Sequence, residues 1–332
     1  MARGLILTLL VALSSACASS PSSPDNPDAS ASLARETPRA LDNRADISGA
    51  VERHLEARTQ LTKRIDKHLD KLSSPFTFRV ASFNVLGDSH TGPGGNKPNF
   101  PDGSARMNMA IGALRSHDVD VVGFQEFESS QHAMFAARAG EYDTYPGTSL
   151  GTKSVRFNIA WRTSVWTLVE AHTLPIPYAG GSRIDMPVIL LESRETGRRA
   201  WFANFHNPAD TPSLGNNGHW RAMAAQMEVD HLTELHESTN YPVLSTGDYN
   251  EREAIFCLFT GGGSFTAAAG GSSGGTCIPP SRMEVDWIFG STGVDFADYA
   301  ANDVGRASDH RMITATATLL PPPSATKKAK PR

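Results

Sequence analysis

Short apolar runs alternate along the chain with stretches in which apolar residues recur at helical spacing. Runs with the length and flanking turn residues of buried strands lie at 76–85, 119–124, 157–161, 166–171, 188–192, 200–205, 243–246, 284–289 and 312–319. Helical spacing occurs at 106–116 and 220–235. Because some neighbouring strands are joined by short turns and others by helices, the pattern predicts an α/β sandwich that contains mixed sheets.

The two ends of the chain differ in composition from this central region. Residues 19–45 are rich in Ser, Pro, Ala and Asp and predict a disordered linker. Residues 46–72 combine many charges with apolar residues at helical spacing, which predicts an N-terminal helix. The folded domain is then predicted at 76–320, with a flexible Gly/Ser-rich loop at 261–275 and a disordered basic tail at 321–332.

The first residues have the features of an export signal. Arg3 precedes an apolar run at 5–13 that is too short to span a bilayer, and Ala16-Cys17-Ala18 fits a cleavage site. We therefore expect a signal peptide at 1–18, a secreted mature chain and no transmembrane segment within it. The alternative is a lipid anchor on Cys17, which is disfavoured because Leu13 lies one position too far upstream.

Removal of such a leader leaves two of the three cysteines, Cys257 and Cys277. In an oxidising compartment, two remaining cysteines favour a disulfide. The alternative is a pair of separate buried thiols.

The composition indicates one large α/β domain and an acidic body. The chain has 332 residues, of which 39% are hydrophobic, and its net charge is −4. Without Arg3 and the four basic residues of the tail, the positive charges fall from 31 to 26 and the rest carries 26 − 35 = −9. An acidic protein surface binds nucleic acid poorly in general. It does not exclude a local basic groove or a site whose negative charge is neutralised by a metal ion.

Six short polar segments follow or interrupt the predicted strands, where α/β folds place functional side chains. They are Ser82-Phe83-Asn84-Val85, Gln125-Glu126, Asn204-Phe205-His206, Gly247-Asp248-Tyr249-Asn250, Val285-Asp286-Trp287 and Ser308-Asp309-His310. Each segment alone has an ordinary structural explanation, such as a turn, a solvated loop or a helix cap. Asp286 differs, because a carboxylate inside an apolar strand needs a partner.

Together, these residue types suit the hydrolysis of a phosphoester. Glu126 and Asp309, assisted by Asn84, are candidate ligands for a hard divalent cation that neutralises phosphate oxygens. Asp248 is the candidate that orients or deprotonates the attacking water.

Other polar residues have candidate roles around the phosphate. Asn204 and Asn250 can donate hydrogen bonds to its oxygens, and His206 and His310 can supply acid–base catalysis or electrostatic stabilisation. Asp286 is expected to hold one of the histidines in a single tautomer.

In their order along the chain, the six segments resemble the motifs of the endonuclease/exonuclease/phosphatase superfamily. This superfamily includes pancreatic-type deoxyribonucleases, abasic-site endonucleases, bacterial neutral sphingomyelinases and inositol polyphosphate phosphatases. The resemblance covers about 76–319 and suggests a secreted, bacterial-type member. It implies a four-layer sandwich of two mixed β-sheets flanked by helices, with all motifs in one cleft.

The resemblance also implies roles for individual residues. Glu126, in the Gln-Glu motif, would hold Mg²⁺, with Mn²⁺ or Ca²⁺ as alternatives. Asp248 and Asn250 would face the scissile phosphate, and Asp286 and His310 would form a pair.

The motifs leave the substrate open. The leading hypothesis is a metal-dependent phosphodiesterase, and specifically a nuclease, with a phosphodiester such as nucleic acid as its partner and no obligate protein partner. The alternatives are a sphingomyelinase-like phospholipase, a small-molecule phosphatase and a non-catalytic binding module. Further candidates for substrate contacts are His90, Lys97, Arg106, Trp220 and Arg221.

Overall fold

The protein is described from a computed structural model, which covers residues 43–321. The predicted leader, most of the predicted linker and nearly all of the predicted tail lie outside these residues. The chain divides into two compact units, residues 1–58 and 59–332. In the first unit, the described residues are helical.

The described residues form six α-helices and twelve β-strands, together with 3₁₀ turns at Asp88–His90, Ala179–Gly181 and Gly305–Ala307. The helices are α1 (Asn43–Ser73), α2 (Gly103–Ser116), α3 (Ser129–Arg138), α4 (Gly151–Ser154), α5 (Gly218–Thr239) and α6 (Glu253–Gly261). The strands are β1 (Phe76–Asn84), β2 (Val121–Gln125), β3 (Tyr142–Tyr145), β4 (Asn158–Arg162), β5 (Trp166–Pro177), β6 (Arg183–Ser193), β7 (Arg199–His206), β8 (Val243–Asp248), β9 (Phe265–Ala267), β10 (Asp286–Ser291), β11 (Val294–Asn302) and β12 (Met312–Leu319).

The strands form two six-stranded sheets within the second unit. Their orders are β11-β12-β1-β2-β4-β3 and β5-β6-β7-β8-β10-β9. Each sheet contains one parallel pair, β1–β2 in the first and β7–β8 in the second. All other pairs of these strands are antiparallel, so both sheets are mixed, as predicted.

The two sheets pack face to face over an apolar core. In this core, Phe78, Trp166 and Phe202 contact one another edge to face, with ring centroids 5.0, 5.3 and 5.7 Å apart. The alternation of side chains along β1 sends Phe78 into this core and Phe83 to the opposite face. There α2 and α3 cover the first sheet, while α5 and α6 cover the second. The result is the predicted four-layer sandwich.

Gly123 on β2 lies directly against side chains of the second sheet. A Cβ atom at this position would lie 2.0 Å from Oγ1 of Thr246 and 2.4 Å from Oδ1 of Asn204. Both atoms belong to the second sheet, so a larger residue in β2 would separate the sheets beside the ends of β2 and β7.

The structure corrects the sequence-based reading of the Gly/Ser-rich run at 261–275. This run contains the short strand β9, which pairs with β10 at the edge of the second sheet. The predicted disulfide between Cys257 and Cys277 is present, with the two Cα atoms 5.4 Å apart. It links Cys257 on α6, just before this run, to Cys277, just after it, so the two ends of the run are held together. Within residues 43–321, no helix is both long and apolar enough to cross a membrane.

Candidate active site

The predicted polar residues meet at one edge of the sandwich. Asn84 and Gln125 are opposite each other at the ends of β1 and β2, and His206 and Asp248 are opposite at the ends of β7 and β8. Asp286, at the start of antiparallel β10, pairs with Asp248. Because parallel strands end together and the two sheets face each other, residues far apart in sequence share this edge.

The backbone changes direction sharply after three of these strands. Leu86, Glu126 and Asn250 have φ angles of 54°, 56° and 52°, which lie in the left-handed region that non-glycine residues rarely adopt. Such conformations cost energy and persist where the surrounding structure holds them. Glu126 and Asn250 are predicted site residues, so this local strain coincides with the predicted site.

Asn84 connects two carboxylates from different sheets. Its Nδ2 donates hydrogen bonds to Oε1 of Glu126 at 3.1 Å and to Oδ2 of Asp248 at 3.0 Å. Its Oδ1 accepts a hydrogen bond from the backbone nitrogen of Leu86 at 3.0 Å. The amide nitrogen therefore faces the carboxylates. The role of Asn84 as a metal ligand stays a prediction, and it requires the amide group to turn over.

Asp248 is the centre of the cluster and is 1% exposed. Its Oδ2 lies 3.5 Å from Nε2 of His206 and 3.8 Å from Nε2 of His310. Its Oδ1 accepts a hydrogen bond from the backbone nitrogen of Asn250 at 3.0 Å. Two imidazole groups and a backbone N–H group therefore lie around this one carboxylate.

His310 and Asp286 form a hydrogen-bonded pair. Nδ1 of His310 lies 2.8 Å from Oδ2 of Asp286, which is 4% exposed. Burial opposes a charge on His310, but the carboxylates of Asp286, Asp248 and Asp309 outweigh it and raise the pKa of His310. Burial, and then the negative charge of Asp248, raises the pKa of Asp286. Of the two groups we assign the proton to His310, because three carboxylates act on it.

His206 differs from His310 in its protonation. It is 5% exposed, and burial lowers its pKa despite the nearby carboxylates of Asp248 and Glu126. Its Nδ1 is buried and has no hydrogen-bond partner among the described residues. The site therefore combines a neutral imidazole with a protonated one at neutral pH, which suits acid–base chemistry.

Glu126 remains ionised although it is largely buried. Burial alone would raise its pKa, but hydrogen bonds with His90, Gly87 and Asn84 together lower the pKa below its usual range. Nε2 of His90 lies 3.1 Å from Oε2 of Glu126, and the backbone nitrogen of Gly87 donates to the same oxygen at 2.9 Å. A deprotonated carboxylate is the form that binds a divalent cation.

Asp309, the second predicted metal ligand, is paired with a lysine. Oδ2 of Asp309 lies 2.6 Å from Nζ of Lys97. Among residues 43–321, the possible metal-binding cluster is formed by Asp248, Asp286 and His310, whose donor atoms lie within 4.8 Å of one another. This cluster contains neither Glu126 nor Asp309.

Asn204 is engaged between the two sheets. Its Nδ2 donates to the carbonyl oxygens of Phe124 at 2.7 Å and Asn158 at 3.2 Å. Its Oδ1 accepts from Nε2 of Gln125 at 2.6 Å and from Oγ1 of Thr246 at 3.2 Å. These contacts join the ends of the sheets, and its predicted role as a phosphate ligand stays a prediction.

A buried chain of contacts behind the site was not predicted from the sequence. Glu228 on α5 is fully buried, and its Oε2 accepts a hydrogen bond from Nδ2 of Asn207 at 3.2 Å. The carbonyl oxygen of Asn207 accepts in turn from Nδ2 of Asn250 at 2.8 Å. Burial raises the pKa of Glu228 to about 8. The sequence did offer one sign of this chain of contacts, because Glu228 is a charged residue on the side of α5 that faces the core.

Arg156 also lies near the site and was not predicted. It is within electrostatic range of His90, Tyr178 and His206. Its buried Nε has no hydrogen-bond partner among the described residues. The link between α4 and β4, where Arg156 lies, carries no motif, so only the tertiary structure reveals this cation.

The other candidate cations are already paired within the protein. The guanidinium of Arg106 donates to the carbonyl oxygens of residues 85–87, and it thereby holds the loop after β1. Arg221 contacts Asp210 at 3.2 Å and Glu251 at 3.5 Å. Trp220 packs against the ring of His219, with centroids 4.9 Å apart.

A sequence model of the Endonuclease/Exonuclease/phosphatase family matches residues 81–310 of the chain. The match begins within β1 and ends at His310, so it includes all six polar segments. None of the curated proteins compared with the chain matches it.

Several solved structures share this fold. An endonuclease/exonuclease/phosphatase family protein from Bacteroides thetaiotaomicron is 17% identical, with a TM-score of 0.60, and the alignment covers 74% of this chain and 99% of that one. A mannosyl-6-phosphatase from the same organism is 18% identical, with a TM-score of 0.56 and coverages of 72% and 99%. TDP2 from D. rerio, complexed with a single-strand DNA product, is 16% identical, with a TM-score of 0.51 and coverages of 73% and 98%. At these identities the likeness concerns the fold.

Proposed function

Because the chain belongs to the endonuclease/exonuclease/phosphatase family, we propose that it is a divalent-metal-dependent phosphoester hydrolase that cleaves phosphodiesters. The observation that supports this most is the convergence on Asp248. Asn84, His206, Asn250 and His310 all contact or closely approach this one carboxylate. Such a cluster of ionisable and hydrogen-bonding groups at the end of a sandwich suits the activation of water beside a phosphate.

The carboxylate of Glu126 is a suitable ligand for a hard divalent cation. Glu126 is ionised and partly accessible, with 16% of its side chain exposed. We propose that Glu126, with Asp309 and Asn84 as the predicted further ligands, holds Mg²⁺, Mn²⁺ or Ca²⁺. When bound, this cation would neutralise charge on the phosphate oxygens.

The residues around Asp248 divide the remaining chemistry among them. Asp248 would accept the proton of the attacking water, or orient that water. The protonated His310, held by Asp286, would offset negative charge that develops on the phosphate. His206, which is neutral, would exchange a proton with the reacting oxygens. Asn250 is held by Asn207 beside Asp248 and would contact the phosphate.

Among phosphodiesters, a nuclease is our first proposal, since TDP2, which shares the fold, is complexed with a DNA product. A second candidate is a hydrolase of small phosphoesters. It is favoured because several candidate cations for substrate binding are already paired within the protein. In the described part of the chain, Lys97 and Arg221 are paired with carboxylates and Arg106 with backbone carbonyls. Arg156, whose buried Nε has no hydrogen-bond partner among the described residues, is a cation near the site that could contact a phosphate, whereas a long nucleic acid requires several phosphate contacts.

Export is part of the proposal. The sequence of the leader predicts secretion, and the Cys257–Cys277 disulfide is of the kind that persists in oxidising compartments. Signal-peptide cleavage after Ala18 can be tested by N-terminal sequencing of the exported protein. A lipid-modified Cys17 would support the anchored alternative instead.

The activity can be tested with one substrate panel. The mature protein would be incubated with duplex DNA, RNA, sphingomyelin, a sugar phosphate and a chromogenic phosphodiester, each with Mg²⁺, Mn²⁺ or Ca²⁺ and after chelation. We expect hydrolysis of at least one phosphodiester, loss of activity after chelation and recovery when the ion is restored. Full activity after exhaustive chelation would refute the metal dependence, and no hydrolysis of any phosphoester would refute the enzyme.

A further inference from the structure

A buried carboxyl group and a buried amide are hydrogen-bonded to each other behind the site. Glu228 on α5 and Asn207, which follows β7, are both 0% exposed. Nδ2 of Asn207 donates to Oε2 of Glu228 at 3.2 Å. The remaining oxygens of the pair, Oε1 of Glu228 and Oδ1 of Asn207, are buried and have no hydrogen-bond partner among the described residues. The pair therefore has more acceptors than donors.

A neutral Glu228 supplies a donor that the pair lacks. An ionised carboxyl group only accepts hydrogen bonds, whereas a protonated one carries an O–H group. A buried charge without a cationic partner is also more costly than a buried neutral group. Burial outweighs the hydrogen bond from Asn207 and raises the pKa of Glu228 to about 8. Tyr249, the titratable neighbour whose own pKa a charge on Glu228 would raise, offers no positive charge.

The backbone of Asn207 joins this pair to the candidate active site. Its nitrogen donates to the carbonyl oxygen of Asp248 at 2.9 Å. Its carbonyl oxygen accepts from Nδ2 of Asn250 at 2.8 Å. Asn207 thus contacts the buried acid with its side chain and the end of β8 with its backbone.

Asn250 is held in an unfavourable conformation that needs such support. Its φ angle is 52°, and residues in this region persist where the surrounding structure fixes them. A side-chain amide has two N–H groups. Because the carbonyl oxygen of Asn207 engages Nδ2 through one of them, it sets the direction of the other, which stays available to a phosphate.

Helix α5 fixes the segment after β7 at a second point. Nη1 of Arg221, on the same helix as Glu228, donates to the carbonyl oxygen of Pro208 at 2.8 Å. The ring of Pro208 also restricts the backbone of the residue before it, Asn207. The carbonyl group of Asn207 therefore belongs to a segment that α5 holds on both sides.

We infer that Glu228 is a positioning residue for the proposed reaction. As a neutral acid it fixes Asn207, and Asn207 in turn orients the side chain of Asn250 towards the phosphate. The inference rests on the proposed function only in the role given to Asn250. Since Glu228 is fully buried behind Asn207, its effect on catalysis passes through Asn250 rather than through contact with the substrate.

The kinetic test compares a polar and an apolar replacement of Glu228. Glu228→Leu removes the hydrogen bond and should lower kcat about tenfold, because a small displacement of a positioned group is costly. Glu228→Gln keeps an oxygen for Asn207 and supplies an N–H donor, so kcat should stay within about twofold of the wild type. Glu237→Leu, at an exposed position on the same helix, is the matched control and should leave kcat unchanged. In an Asn250→Ala background, Glu228→Leu should cause no further loss.

The orientation of Asn250 can be measured without any substrate. The nitrogen–proton NMR signal of its Nδ2 group is identified by its loss in Asn250→Ala. This signal should move in Glu228→Leu and keep its wild-type position in Glu228→Gln and Glu237→Leu. Asn207→Ala breaks the same link from the other side and should move the signal too, which keeps the test decisive if Glu228→Leu does not fold.

The outcomes separate the inference from the proposed function. An unmoved Asn250 signal in the folded variants overturns the inference. So does a tenfold loss in Glu228→Gln, or a loss in Glu228→Leu that is equally large without the Asn250 side chain. If the wild type hydrolyses no phosphoester, the proposed function fails, while the Asn250 signal still decides whether Glu228 positions this side chain.

Discussion

Nδ1 of His310 and Oδ2 of Asp286 are 2.8 Å apart, although the two residues belong to different sheets. Asp286 begins β10 of the second sheet, and His310 precedes β12 of the first. Nε2 of the same imidazole lies 3.8 Å from Oδ2 of Asp248. The pair therefore connects the two sheets across the proposed cleft, and it keeps a protonated imidazole beside the carboxylate that would activate water.

We expect Asp286→Asn and His310→Ala to be strongly non-additive in kcat/KM, because each change removes the same protonated imidazole unit. A double-mutant cycle measures this, with the double variant expected to lose little more than either single variant. The matched control is Asp295→Asn, an exposed carboxylate on β11, whose effect should simply multiply with that of His310→Ala. Multiplicative losses for Asp286 and His310 would show that the two side chains act separately.

Loss of either of the central acid–base groups should reduce turnover with little effect on folding. Asp248→Asn removes the proposed acceptor of the water proton, and His206→Ala removes the neutral imidazole. Each is expected to lower kcat by roughly two orders of magnitude or more, the usual scale for such groups. Steady-state kinetics and thermal unfolding of the same preparations provide the measurement. Near-normal turnover in either variant would mean that the site is assigned incorrectly.

The buried carboxyl group of Glu228 should make stability fall as the pH rises. Burial raises its pKa to about 8 in the folded protein, from an ordinary value of 4.5. The folded state therefore holds a proton that the unfolded state releases between these values, and stability decreases across this window by roughly 1.4 kcal/mol per pKa unit of difference. Glu228→Gln removes this dependence, so the variant should gain stability relative to the wild type as the pH rises.

Urea unfolding at about pH 5.5 and about pH 8.5 tests the prediction for Glu228. Glu237→Gln, an exposed position on the same helix, is the matched control and should follow the wild type at both values. The difference in unfolding free energy between Glu228→Gln and the wild type should therefore change between the two pH values. If this difference is the same at both, Glu228 is not a buried, protonated carboxyl group.

The disulfide between Cys257 and Cys277 should stabilise the protein through the loop that it closes. For a sequence separation of 20 residues, the loop-entropy relation gives about 3 kcal/mol. Cys257→Ser, Cys277→Ser and the double variant should lose similar amounts, because each removes the same bond. Non-reducing peptide mapping of exported protein checks the bond itself, and two free thiols there would contradict its formation.

The sequence by itself determined the fold class, the order of the main strands and the six polar segments of the site. These features are local, since short apolar runs define strands such as β1 and β2, and a polar residue at the end of a buried strand is visible without any partner. The number of cysteines that remain without the leader favoured the disulfide, and the structure contains it. The shorter elements, such as β9 and α6, carried too weak a pattern amid glycines or motif residues to be predicted.

Only the tertiary structure decided which polar atoms meet. It placed Nδ2 of Asn84 between the carboxylates of Glu126 and Asp248, engaged Asn204 between the sheets and brought His90 to Glu126. These contacts depend on the packing of one sheet on the other and on the course of a loop. A residue's type shows what it can bind, but its burial and its neighbours set its charge, its pKa and its role.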